Sequence, residues 1–157
     1  MSVENAIKFG IGKVDLGPSP ICRDWILEGN PVARNALLSS SADGSASSYI
    51  WDCTAGRFNW FYGVDETIYV IEGGVILKDM SGTARRLSAG DTIFFPAGTH
   101  AEWHVETYIR KFALVRVPLP KSFLYAKRGY RFFKKLMGAD GRGSPAPAMF
   151  QSEYDAR

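Results

Sequence analysis

A chain of 157 residues is the size of one domain and long enough to bury a core. Hydrophobic residues at 46% and charged residues at 22% exclude a disordered chain, and the aromatic share of 13% is high. The net charge of +3 is unevenly spread: seven basic residues against Asp140 put +6 between positions 121 and 142, which leaves −3 on the remainder.

Residues 1–23 read as an N-terminal arm. Its start, MSVENAIKFGIGKV, lacks the basic head and long apolar core of a secretory signal. No apolar run in the chain approaches the length of a membrane-spanning helix. Cys22 and Cys53 are too few for a disulfide framework at this length, so reduced thiols in a cytoplasmic protein are expected.

From 24 to 118 the sequence alternates short strand-like runs with turn signals, as an all-β barrel or sandwich does. The runs are DWIL, ARNALLSS, SSYIWDC, RFNWFY, TIYVIEG, GVILKD, ARRL, TIFFP, AEWHV and IRKFALVRV, all rich in β-branched and aromatic residues. Asp43-Gly44 and Ala55-Gly56 are among the turn signals. Residues 119–138 then predict an amphipathic C-terminal helix, with Ala126, Tyr130, Phe133 and Met137 at helical intervals and Gly138 as its stop. That helix is expected to pack on the barrel or on a partner, and the Gly, Pro and Ala-rich stretch 139–157 reads as a flexible tail. Alternating aromatic and basic residues in 121–135 raise nucleic acid and membrane as partners, but the amphipathic pattern favours packing, and neither partner is expected.

Both histidines, His100 and His104, lie in PAGTHAEWH with Glu102 between them. On a helix they would share an ion, but their flanks are strand-like, and on a strand four residues span about 13 Å. As a pair they are not a metal site.

The stretches GRFNWFYGVDETIYVIEG and GDTIFFPAG resemble the cupin family. Glu66 is followed after six residues by Gly73, and Gly90 after five by Pro96-Ala97-Gly98, as in the two cupin motifs. With WDCTAGRFNW, EWHV and IRKF, the chain is similar to the branch that includes the ureidoglycine aminohydrolase cupin domain and the ethanolamine-utilisation cupins. The resemblance covers residues 24–118 and implies a double-stranded β-helix, or jelly-roll, barrel. It also places the family's H-x-H ligands on Trp60-Phe61-Tyr62 and its last histidine on Ala101. Glu66 alone survives of the four usual metal ligands, so no metal and no cofactor are expected. If Ala101 takes the inward position of the lost ligand, Trp103 and Val105 face in and His104 and Glu102 face out. A one-residue bulge would swing His100 into the cavity.

The inward positions then suggest an aromatic box of Trp60, Tyr62 and Trp103 around Glu66, with His100, Arg57, Asp65, Tyr69 and Lys111 as rim or wall. Such a box suits a flat or cationic small molecule, although the same rings would also simply fill a small barrel. Glu66 either carries a proton at a raised pKa or is ionised and held by Lys111 or Arg57. The function expected is recognition of a small organic molecule by a metal-free homodimer. The alternative is an isomerase, lyase or aminohydrolase-like enzyme with Glu66 and Tyr62 as acid and base.

Overall fold

The structure, a computed structural model, describes residues 7–118 and 120. The helix expected over 119–138 and the tail 139–157 lie outside the described residues, apart from Pro120. Among the described residues eight strands follow in chain order: β1 (Gly17–Pro18), β2 (Ile26–Glu28), β3 (Ala33–Ser40), β4 (Ala46–Phe61), β5 (Asp65–Asp79), β6 (Ala84–Ser88), β7 (Thr92–Phe95) and β8 (His100–Arg116). Short 3-10 turns occupy Ile11–Lys13 and Arg23–Trp25. Among the described residues no helix is long and apolar enough to cross a membrane.

All the pairings are antiparallel, in the order β1-β3-β4-β8-β5-β6, with β2 joined to β4 and β7 to β5. This is the jelly-roll architecture expected from the sequence. Its framework is three long strands. The C-terminal half of β8 pairs with the first halves of β4 and β5, and its N-terminal half pairs with their second halves. Register shifts at Thr54/Gly56, Val70/Glu72 and Gly73/Ile76 mark where β4 and β5 bend between the two layers.

Six of the runs read as separate strands therefore fuse into three. SSYIWDC and RFNWFY form β4, TIYVIEG and GVILKD form β5, and AEWHV and IRKFALVRV form β8. Ala55-Gly56 is a bend inside a strand, not the chain reversal expected from its composition. Gly56 and Gly73 are needed because a proline ring approaches closely at the first and backbone at the second. A Cβ on Gly56 would lie 2.8 Å from the Pro31 ring. Gly73, at φ +71°, would bring a Cβ within 2.0 Å of the Tyr108 carbonyl oxygen. No side chain fits either place.

Alternation fills the interior with Phe58, Ile68, Val70, Leu77, Val105 and Ile109, each nearly inaccessible. On the opposite side of the sheet, Asp52 is buried and accepts two hydrogen bonds from the Arg34 guanidinium, at 3.1 and 2.6 Å, and one from the Tyr108 hydroxyl at 3.0 Å. This fork ties β3, β4 and β8 together and fixes their register.

Gly73→Ala is expected to lower stability by more than about 3 kcal/mol, because a new Cβ meets backbone at a strained φ. Gly82→Ala shares a positive φ but meets open space, and should lose only about 1–2 kcal/mol. Urea denaturation midpoints of the two variants measure the difference, and equal losses would contradict the close approach at Gly73.

Candidate functional site

At the start of β5 the alternation puts Glu66, Ile68 and Val70 inward and Thr67 and Tyr69 outward. On β8 it puts Ile109, Lys111 and Ala113 inward. In the β5–β8 ladder Glu66 stands opposite Val115, and Lys111 opposite Val70, four residues along the same face. The long lysine side chain spans that offset, and its Nζ lies 2.6 Å from Glu66 Oε1. The side chains are only 3% and 9% exposed, so this ion pair sits inside the barrel.

Three indoles surround the ammonium. Lys111 Nζ is 4.7 Å from the ring centre of Trp103, 5.0 Å from that of Trp51 and 5.9 Å from that of Trp60. Trp51 is the register partner of Lys111 across β4 and β8, which explains its place over the charge. Each ring face attracts the cation by about 0.5–2 kcal/mol, offsetting part of the desolvation of the pair.

The rings are themselves fixed. The Trp103 indole N–H donates to the Tyr62 hydroxyl at 3.0 Å, and Trp103 stacks on Phe58. Tyr62 stacks on Phe95, with ring centres 4.1 Å apart. Its backbone N–H donates to Thr99 O and its carbonyl accepts from Gly98 N–H, clamping it to the loop before β8. Burial first, and the neighbouring Glu66 charge second, push the Tyr62 phenol far above its ordinary pKa, against a smaller lowering by the Trp103 N–H. The Trp51 indole N–H is the single buried side-chain polar atom without a hydrogen bond among the described residues. Such an orphan donor costs about 1–3 kcal/mol.

Above the pair opens a cavity of about 140 Å³, with Trp51, Trp60 and Tyr49 as aromatic walls, Glu66 and Lys111 as polar groups, and Asn35 and Ser19 also lining it. Of the residues singled out in the sequence, Trp60, Glu66 and Lys111 meet at this cavity. Tyr62 and Trp103 are buried next to it and do not line it. His100 lies on the other side of β8 from Ala101 and packs its ring on Phe61, 5.3 Å between centres. Arg57 also points away: it pairs with Glu28 at 3.2 Å and Glu102 at 2.6 Å, in a separate groove with His104. Asp65 accepts a hydrogen bond from the Ala97 N–H, and Tyr69 is exposed. Trp51, Tyr49, Asn35 and Ser19 were not foreseen. The signal for the first two was the alternation of Tyr49, Trp51 and Cys53 in SSYIWDC.

The donor set does not fit a divalent metal. Trp60, Tyr62 and Ala101 stand at the positions where the cupin motifs put imidazoles, and Glu66 Oε1 is engaged by an ammonium. Among the described residues no group of three or more His, Cys, Asp or Glu side chains is placed to hold an ion. Cys53 is buried, and burial above all pushes its thiol up to about 12, with the Asp52 charge adding and Lys111 opposing.

Residues 40–113 match the family model of the EutQ-like cupin domain. Among solved structures the chain is similar to a DUF861-family protein of unknown function from Pseudomonas syringae pv. tomato. The two are 27% identical with a TM-score of 0.61, over 66% of this chain and 45% of that one. It is similar to a predicted oxalate decarboxylase from Thermotoga maritima, at 15% identity and a TM-score of 0.58, over 71% of this chain and 100% of that one. It is also similar to the cupin domain of Schizosaccharomyces pombe Cnp3, at 10% identity and a TM-score of 0.56, over 78% and 80% of the two chains. At such identities the last two bear on the fold alone. The chain spans less than half the length of the Pseudomonas protein. No curated protein is matched.

Removing one partner of the buried pair, by Glu66→Leu or Lys111→Met, is expected to cost about 3–5 kcal/mol, and the two substitutions together to recover most of that loss. A double-mutant cycle in urea reads the coupling, and additive losses would contradict it. Cys53 predicts a second effect. Its folded pKa lies above the ordinary 9.0, so the stability gained from the neutral thiol is intact below pH 9.0 and lost as pH rises towards about 12. Cys53→Ala should flatten that alkaline limb in chemical denaturation.

Proposed function

We propose that this member of the cupin superfamily recognises a small organic molecule at the mouth of its barrel, with no metal ion taking part. One observation carries the reading: a buried Glu66–Lys111 pair forms part of a tryptophan-walled cavity, beside the positions where the cupin motifs place metal ligands. A concave, mostly apolar site with a few convergent polar groups is the usual form of a small-molecule site. The finer affiliation with the ureidoglycine aminohydrolase branch rests on the motif spacing and belongs to the same proposal.

A catalytic reading with Glu66 and Tyr62 as acid and base is less well supported. Tyr62 does not line the cavity, its hydroxyl accepts from Trp103, and its ionisation is driven far up. Binding needs none of these features to change. A homodimer in a reducing, cytoplasmic setting completes the proposal. Support comes from the exposed Tyr69, Phe94 and Leu114 on the adjoining strands β5, β7 and β8, and from the free thiols of Cys22 and Cys53.

Elemental analysis of the purified protein is expected to give far less than one transition-metal ion per chain. Native mass spectrometry is expected to show a retained small molecule, leaving unchanged on denaturation and lost in Trp60→Ala. A stoichiometric metal ion held by protein side chains would overturn the reading, and so would turnover of the retained molecule.

A further inference from the structure

We infer that the ligand of this cavity is a net-neutral molecule of amide type, with an N–H and a carbonyl on one edge. Its buried portion is about six to eight non-hydrogen atoms, since cavities near 150 Å³ hold a benzene-sized molecule and this one measures about 140 Å³. The inference rests on the reading of the barrel mouth as the binding site and goes on to name what fills it.

Charge decides the class. Aromatic faces above a carboxylate attract cations, but here the chain's own ammonium already occupies that place, among three indoles and bonded to Glu66. A ligand cation would meet Lys111 as a like charge, with the Glu66 charge already neutralised. An anion would meet the negative faces of Trp51 and Trp60, with the Lys111 charge matched by its partner. A dipole is what remains. Lys111 has three N–H donors and gives one to Glu66 Oε1, while Glu66 Oε2 has no partner among the described residues. Donor and acceptor thus stand side by side at the cavity, 2.6 Å apart at the bonded atoms. The carbonyl of a cis-amide edge would accept from Lys111 and its N–H would donate to Glu66, with the planar body against the Trp51 and Trp60 rings, which themselves meet edge to face with centres 5.8 Å apart. Larger ligands such as nucleotides do not fit the buried space.

Three probes of similar size test this on the intact protein: δ-valerolactam (neutral), piperidine (a cation at pH 7) and cyclopentanecarboxylate (an anion). Their binding is followed through the indole N–H signals of Trp51 and Trp60 in NMR titrations. The lactam is expected to shift both signals saturably and to bind about ten-fold tighter than either charged probe, the worth of one net hydrogen bond. Lys111→Met vacates the aromatic box and should turn the preference towards piperidinium by about ten-fold. The wild-type panel decides alone should that variant fail to fold. A charged probe that binds as tightly as the lactam overturns the ligand class and leaves the cavity as the site. No shift of the Trp60 signal with any probe at saturating concentration overturns both.

Discussion

The structure of this site depends on one constraint: two opposite charges held out of water inside a barrel. Burying a carboxylate and an ammonium costs several kcal/mol each before they attract one another. The Glu66–Lys111 contact at 2.6 Å returns part of that. Three tryptophan faces around the ammonium return more, and they do so without adding charge. The rings are therefore part of the electrostatics of the pair. The rings are held in turn: Trp103 by Tyr62 and Phe58, Trp60 by edge contacts with Trp25 and Phe58, Trp51 by edge contacts with Trp60 and Trp103, and Tyr62 by Phe95 and the loop at Gly98. Loosening one ring exposes the charge it covers, so pair and cluster stand or fall together.

The strand bends bring these groups to one place. Lys111 lies in the C-terminal half of β8 and Trp103 in its N-terminal half, which belong to different layers. A straight eight-residue separation on a strand would hold them about 26 Å apart. The bends between the layers let the Trp103 ring lie 4.7 Å from Lys111 Nζ. Gly73 makes one of these bends possible by giving the Tyr108 carbonyl room to approach, so a backbone requirement outside the cavity lining bears on the geometry within it.

The same bends explain how much was legible in the sequence. Strand composition and the spacings Glu66 to Gly73 and Gly90 to Pro96 specify the jelly roll, because they record turns and inward positions that the fold needs. The inward direction of Trp103, with His104 outward, follows from alternation along an unbroken stretch. Alternation carried across a bulge fails. On β4 the inward residues are Trp51 and Cys53 before the shift at Thr54/Gly56, and Phe58 and Trp60 after it. One extra residue changes odd to even, so parity counted back from Trp60 sends Trp51 to the wrong face. Arg57 was a candidate partner for Glu66 on charge alone, yet it sits on the outer side with Glu28 and Glu102. Asn35 and Ser19 reach the cavity through pairing of β1, β3 and β4, a long-range outcome that no local pattern encodes.

Retention of Glu66 without its motif companions now has a physical account. A lone carboxylate among Trp and Tyr rings would be driven to take up a proton or to turn outward. Trp60, Tyr62 and Ala101 in place of metal-binding imidazoles are compatible with a buried carboxylate only if another cation is supplied, and Lys111 supplies it from the neighbouring strand. A tethered ammonium differs from a bound ion in two respects that bear on recognition. It offers hydrogen-bond donors in place of open coordination positions, and its charge is fixed by the chain, independent of metal supply. On the proposed reading, what such a site discriminates is set by the donor–acceptor geometry of the pair and by the Trp51 and Trp60 rings beside it, so the charged pair and the wall residues are together the positions through which a barrel of this kind would change its ligand.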